Sequence, residues 1–145
     1  MAKTLGIDYG DKRIGIAISD DNNKISFSRP HLSNDKEFFK KISEIIQTEN
    51  VNRIILGYPI NLNSEKSIQT LKTEDFKNSL ETFLSKSGLQ VEICFSDERF
   101  TSSIAGQFIS ENVTNKKKKR DKGLVDSISA QIILQGYLDK INFKH

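Results

Sequence analysis

Leu5-Gly6-Ile7-Asp8-Tyr9-Gly10-Asp11-Lys12-Arg13-Ile14-Gly15-Ile16-Ala17-Ile18-Ser19-Asp20 is the stretch from which the fold is read. Two apolar runs, Thr4 to Asp8 and Ile14 to Ser19, flank a Gly-Asp-Lys turn, a pattern that predicts a β-hairpin with a short loop. Asp8 ends a run that should be buried, where an unpaired carboxylate is costly. A basic side chain, a set of N–H donors or a metal ion can each keep such an acid ionised. Gly6 and Gly10 bracket it, and glycines beside a carboxylate admit another backbone or a phosphate at close range. The plainer alternative is that Asp8 opens the turn and pairs with Lys12 or Arg13.

At 145 residues the chain is long enough for one domain, residues 1–145, with a sizeable core. Hydrophobic residues make up 36% and charged residues 28%, which indicates a globular chain rather than a disordered one. No apolar run reaches the length of a membrane span, and no signal peptide precedes the first strand. Cys94 is the sole cysteine, which excludes an intrachain disulfide or a Cys-rich zinc site and fits a reducing cytoplasm. The net charge of +3 is too small to imply nucleic acid unless it is unevenly placed.

Beyond the hairpin, Lys24 to Ser28 alternates in polarity and predicts a third strand. Arg29-Pro30-His31 reads as a connector, with His31 an exposed loop residue. Asn34 and Glu37 have the spacing of a capping box opening a helix, and Phe38, Phe39, Ile42, Ile45 and Ile46 fall on one face of it. Val51 to Tyr58 is a strand stopped by Pro59 and, because a helix precedes it, parallel to an earlier one. A polar loop, Ile60 to Lys66, leads to a second amphipathic helix with Phe76, Leu80, Phe83 and Leu84, closed by Gly88. Leu89 to Ser96 is the fifth strand, running into Asp97-Glu98-Arg99. Thr101 or Ser102 caps a further helix, Asn112 to Lys122 is a loop, and Gly123 to Ile141 is a largely buried last helix. The sum is an α/β fold: a five-stranded mixed sheet with helices on both faces, in which sites form at strand ends.

Three acids fall at element ends that can share one edge: Asp8, one of Asp97 and Glu98, and Asp126. Pleat alternation sets Asp97 on one side with Ile93 and Phe95, and Glu98 on the other with Cys94 and Ser96. Alternation alone leaves both open. Convergent carboxylates without His or Cys make a hard oxygen site that suits Mg²⁺ or Mn²⁺ and not zinc. Paired Mg²⁺ ions about 4 Å apart serve phosphodiester cleavage. The basic run Lys116, Lys117, Lys118, Lys119 and Arg120 lies shortly before Asp126. It is either a solvated loop or a surface that neutralises the phosphates of a strand led to the metals. Taken singly, Asp97-Glu98-Arg99 can be a surface salt-bridged turn, and Asp126 an acid favoured by a helix N-terminus.

Four blocks of the sequence resemble the YqgF family of pre-16S rRNA nucleases, also described as Holliday-junction-resolvase-like proteins. They are Gly6-Ile7-Asp8-Tyr9-Gly10 through Arg13, Gly15 and Ser19-Asp20; Ile55-Leu56-Gly57-Tyr58-Pro59; Asp97-Glu98-Arg99-Phe100-Thr101-Ser102 with Ala105; and Lys122-Gly123-Leu124-Val125-Asp126 through Asp139. The resemblance runs from Leu5 to Asp139. It implies a ribonuclease H-like fold, a hydrolytic nuclease, and Asp8, Glu98 and Asp126 as its metal-binding acids. It further implies pre-rRNA or branched DNA as substrate, ribosomal precursor particles as partners, and a monomer or weak homodimer in the cytoplasm. Two departures stand out: Asn61-Leu62-Asn63-Ser64 where Asn/Asp-Gly is expected, and Ser127-Ile128-Ser129-Ala130 where an Ala-Ala pair is usual.

The leading expectation is a Mg²⁺- or Mn²⁺-dependent enzyme that leaves a 5′-phosphate and a 3′-hydroxyl. Arg13, Arg99 and residues Lys116 to Arg120 would position the nucleic-acid backbone. An actin-like ATP-binding domain shares Asp8-x-Gly10, but it requires a second Gly-rich phosphate loop that the sequence lacks. A non-catalytic nucleic-acid-binding module of the same fold is the third reading, and retention of all three acids argues against it.

Overall fold

The computed structural model describes residues 2–58, 67–97 and 122–142, with the backbone alone at Asp97 and at residues 122–127. In chain order the elements are β1 (Lys3–Asp8), β2 (Arg13–Ser19), β3 (Ser26–Ser33), α1 (Phe38–Glu49), β4 (Val51–Tyr58), α2 (Ile68–Lys86), β5 (Glu92–Asp97) and α3 (Lys122–Asn142). The sheet order is β3-β2-β1-β4-β5. β1–β2 and β2–β3 are antiparallel, whereas β1–β4 and β4–β5 are parallel. The hairpin, the parallel placement of β4 and the mixed sheet follow the sequence expectation. The helix expected to begin at Thr101 or Ser102, the loop 112–121 and the loop 60–66 lie outside the described residues.

Strand alternation sends the two sides of the sheet to different partners. Leu5, Ile7, Ile16, Ile54 and Leu56 pack under Phe38 and Ile42 of α1 and Leu80 and Leu84 of α2. Ala17 and Ile55 face Ala130, Ile133, Leu134 and Leu138 of α3. The α3 side is thin because β1 contributes Gly6 there. A Cβ on Gly6 would lie 2.8 Å from Leu134 Cβ and 3.0 Å from the Ala130 carbonyl oxygen. The helix therefore rests on bare strand backbone. Its direction is set at the far end: Asn142 donates to the Asn23 carbonyl at 3.0 Å, and Asn23 donates to the Ala2 carbonyl at 3.0 Å. The last turn of α3 thus sits beside the start of β1, and the helix runs antiparallel to that strand.

Three boundaries differ from the sequence reading. β3 extends to Ser33 and takes in Arg29-Pro30-His31, expected as a connector. Pro30 lacks a donor, but β3 is an edge strand and its register against β2 shifts between Ile14 and Ile16, where a missing donor is tolerated. His31 is exposed, as expected. α1 begins at Phe38, and no side chain caps it. Asn34, expected as its cap, instead donates its amide to the Gly10 carbonyl at 2.8 Å. β5 begins at Glu92, three residues later than expected. Gly88 follows α2 with φ of +75°, as expected; Asn50 closes α1 with φ of 56°, and Ser67 and Thr70 form a capping box on α2. Among the described residues, no helix is long and apolar enough to cross a membrane.

The β2–β3 turn is held by Asp20, whose Oδ1 accepts from the N–H groups of Lys24 (2.8 Å) and Ile25 (3.1 Å). These donors hold its carboxyl below the usual carboxylate range.

Two outcomes are expected. Gly6→Val forces α3 off the sheet and should destabilise the protein by about 1–3 kcal/mol or more, read as a lower urea midpoint. An unchanged midpoint would mean that α3 is not seated on β1. Because the folded pKa of Asp20 is depressed, its contribution to stability is present above the unfolded value, about 3.9, and is lost as pH falls through the lower folded value. Asp20→Asn should flatten that acid limb of the urea midpoint against pH and leave the rest of the profile parallel to wild type.

Candidate active site at the carboxyl edge of the sheet

β1, β4 and β5 are parallel, so their last residues, Asp8, Tyr58 and Asp97, reach the same edge, with Tyr58 in register with Asp97. The Asp8 side chain is half-buried. It is two residues beyond Gly6, and alternation puts it on the α3 side of the sheet. Its cross-strand partner on β2 is Gly15. On β4, Gly57 follows Leu56, the partner of Ile7, and Gly57 is in register with Ser96 of β5. The row across the sheet at the level of Asp8 therefore reads Gly15, Asp8, Gly57, Ser96. A carboxylate stands between residues that have no side chain or a very small one. On the sheet itself, its neighbours on the α3 side therefore add little side-chain bulk. The role of Gly15 and Gly57 was missed in the sequence, because it depends on register rather than on spacing along the chain.

The opposite side of this edge is filled. Tyr58 packs on Phe95 with ring centroids 4.6 Å apart, and its hydroxyl donates to Glu74 Oε2 at 2.7 Å. Lys77 Nζ lies 5.4 Å from the Phe95 ring centroid. Strand alternation assigns position 97 to this filled side, with Ile93 and Phe95.

After Asp8 the chain turns through Tyr9–Lys12 into Arg13, the first residue of β2. The Tyr9 ring packs against Phe76 with centroids 4.5 Å apart and planes tilted by 36°, and Lys72 of α2 pairs with Asp11 at 3.1 Å. Arg13 is half-buried. The other charged clusters sit toward the amino end of the sheet. Lys3 and Arg29 both donate to Glu49, at 3.0 and 3.2 Å; those bonds hold the Glu49 carboxyl down, and the Glu49 bond raises Lys3. Arg53 donates to Glu92 at 3.1 Å and to the Tyr137 hydroxyl.

Of the remaining predicted site residues, Asp126 lies in the α3 backbone one turn before Ala130, and its side chain is not described. Glu98, Arg99 and Lys116 to Arg120 lie outside the described residues. Among the described residues no three His, Cys, Asp or Glu side chains gather as metal ligands, and of the predicted ligands Asp8 alone has a described side chain.

A family model described as "RuvX: Holliday junction resolvase" matches residues 2–140. A "Putative pre-16S rRNA nuclease" of Sulfurihydrogenibium sp. (strain YO3AOP1) is 37% identical over all of this chain and 95% of its own length. Another protein of that name, from Ruminiclostridium cellulolyticum, is 42% identical over 96% of this chain and 95% of its own. Among solved structures, Thermus thermophilus RuvC in complex with a Holliday junction superposes with a TM-score of 0.57 at 8% identity, covering 97% of this chain and 96% of that one. The fowlpox virus resolvase in complex with junction DNA gives 0.55 at 13% identity, covering 96% and 98%. At those identities the likeness is one of fold, and the fold is the ribonuclease H-like one that the sequence implied. With a family model matched from residue 2 to residue 140 and full-length relatives at 37% and 42% identity, the chain belongs to the YqgF (RuvX) family.

Proposed function

We propose that this protein is a metal-dependent nuclease that hydrolyses phosphodiester bonds in the 5′-end maturation of pre-16S rRNA, acting as a single domain in the cytoplasm. The observation that carries the reading is the place of Asp8: a half-buried carboxylate at the end of the central strand, in a row of glycines and a serine. A carboxylate at that place is a hard oxygen donor, suited to a divalent cation. The names of full-length relatives supply the reaction class and the RNA.

Asp8, Glu98 and Asp126 are assigned as the acids that hold the ion. Three carboxylates without a sulfur or imidazole donor fit Mg²⁺ or Mn²⁺. The direction of α3 supports Asp126, since the helix reaches the carboxyl end of β1 through its amino-terminal turns. Alternation supports Glu98 over Asp97, because position 98 would continue the α3 side on which Asp8 stands. A bound divalent ion supplies an activated water and stabilisation of the leaving oxygen. The protein's own part is to fix the carboxylates, to keep side-chain bulk from the sheet low beside Asp8 through Gly15 and Gly57, and to hold the scissile strand. Arg13, Arg99 and Lys116 to Arg120 do the last, by contacts to phosphates that position without reading sequence.

A second reading is resolution of branched DNA, favoured by the description of the matching family model. Symmetric cutting of a four-way junction needs two sites related by a two-fold axis. Of the two states proposed here, a monomer favours RNA, and a weak homodimer is the one that could supply such an axis. A cleavage panel of structured precursor RNA and junction DNA, run beside a size measurement, separates the two.

Asp8→Asn and Asp126→Asn should each fold, bind RNA, and lose Mn²⁺-dependent cleavage by about 100-fold or more, with the double variant scarcely worse than either single one. Wild-type cleavage in either variant would refute the assignment. Replacing Lys116 through Lys119 with Ala should weaken RNA binding and lower the slope of log affinity against log salt by about 0.7 for each single-strand phosphate no longer neutralised. Thermal stability should be unmoved, since exposed charges contribute little to it. An unchanged salt slope would mean that the run is only a solvated surface.

A further inference from the structure

We infer that Asn34 and Gln69 are positioning residues for Asp8: together they fix the Tyr9–Lys12 connection, and so the carboxylate at its start relative to Arg13 at its end. The inference rests on the metal-nuclease reading of Asp8 and adds to it the device that keeps that acid in place.

The connection projects from the edge of the sheet, and Asp11 and Lys12 are exposed. A short exposed hairpin loop is ordinarily among the least stable parts of a domain. Here three of its four carbonyls are taken by residues distant in sequence. Gln69 Nε2 donates to the Tyr9 carbonyl at 3.2 Å. Asn34 donates twice, from its side-chain amide to the Gly10 carbonyl at 2.8 Å and from its backbone N–H to the Lys12 carbonyl at 2.9 Å. The two residues come from different parts of the chain. Asn34 lies between β3 and α1, and Gln69 lies in the first turn of α2.

Two further features remove the slack that would otherwise remain. The Tyr9 ring is seated on Phe76. At Gly10 the chain doubles back so closely that a Cβ would collide with the Arg13 carbonyl oxygen. The loop is thus gripped on either side of a point where only glycine fits.

The choice of Asn34 is informative. Its spacing from Glu37 is that of a helix cap, yet α1 begins four residues later with no side-chain cap. The amide is committed to the loop instead of the helix. The Lys72–Asp11 pair also ties the loop to α2, but its side chains are 48% and 58% exposed, so it contributes little and serves as a control.

Small displacements of a reacting group are costly: about 1 Å of misplacement lowers turnover by about 100-fold. A carboxylate on the last residue of a strand inherits the motion of the loop after it. The clamp removes that motion before any ion or substrate binds, which is preorganisation of the ligand.

The test uses the full chain as wild type, Asn34→Ala/Gln69→Ala and Lys72→Ala. Three readouts are taken: amide hydrogen exchange, binding of Mn²⁺ alone by titration, and cleavage of precursor RNA. In the double variant exchange should rise about tenfold or more at residues 9–13 and stay unchanged in β4 and α3. Its Mn²⁺ affinity should fall about tenfold, and kcat about tenfold to 100-fold, with KM for RNA held. Lys72→Ala should match wild type in all three. If exchange rises while Mn²⁺ affinity and kcat stay at wild-type values, the clamp shapes the loop without positioning Asp8, and the inference is wrong. If exchange at residues 9–13 does not change, there is no clamp. A wild type that neither binds Mn²⁺ nor cleaves defeats the nuclease reading and this inference with it, whereas a working wild type matched by the double variant defeats this inference alone. Should the double variant fail to fold, Gln69→Ala carries the same comparison, since it removes a single, part-buried hydrogen bond.

Discussion

The contact of α3 with the bare backbone of Gly6 is the constraint on which the architecture depends. A side chain at that position would meet Leu134 Cβ closer than real Cβ atoms come, and the Ala130 carbonyl oxygen in a tight contact. Ala17 and Ala130 keep the neighbouring contacts equally thin. The other side of the sheet is built differently, from Leu5, Ile7, Ile16, Ile54 and Leu56 against the aliphatic and aromatic faces of α1 and α2. One helix is therefore placed by close approach and two by side-chain volume. Close approach is the more exacting of the two, because a backbone contact cannot be relieved by a change of rotamer.

That seating has a consequence at the edge where chemistry is proposed. With its last turn tied through Asn142 to Asn23, α3 can only run back along β1 toward Asp8. The same preference for small residues continues past Gly6 into the row of Gly15, Gly57 and Ser96 around Asp8. At Gly6 the absent side chain admits a helix. One level further on, glycines flank the carboxylate on the sheet. The opposite side of the edge is occupied by Tyr58, Phe95 and Glu74. The acid at the end of β1 and the helix running back toward it are the parts on which the proposed metal site is built. The remaining ion-paired clusters, at Glu49 and Glu92, tie down the other end of the sheet.

Much of this was legible in the sequence. The hairpin, β4 and the buried stripes of α1 and α2 are written in local periodicity, which needs no knowledge of distant partners. Asp8 was legible because an acid at the end of an apolar run conflicts with its surroundings. The errors share one physical cause. Pro30 and His31 were read as a connector because proline opposes a strand, yet an edge strand with a register shift accepts it. Asn34 was read as a helix cap because capping is a local rule, yet a tertiary partner, the Gly10 carbonyl, took its amide. Alternation alone left Asp97 and Glu98 open, because it gives two sides but not which side holds Asp8, and Glu98 came from the family resemblance. The pairing of β1 with β4 and of β4 with β5 identifies the side on which Asp8 stands.

The central claim is that Asp8 and Asp126 share one divalent ion on the α3 side of the sheet. Anomalous diffraction from crystals grown with Mn²⁺ tests it most directly, since it locates the ion without reference to activity. The account predicts a manganese peak in contact with the Asp8 carboxylate, with the Asp126 carboxylate on the same ion and no such peak in Asp8→Asn crystals. A peak bound elsewhere, or Asp126 turned away from Asp8 with the ion in place, would contradict it.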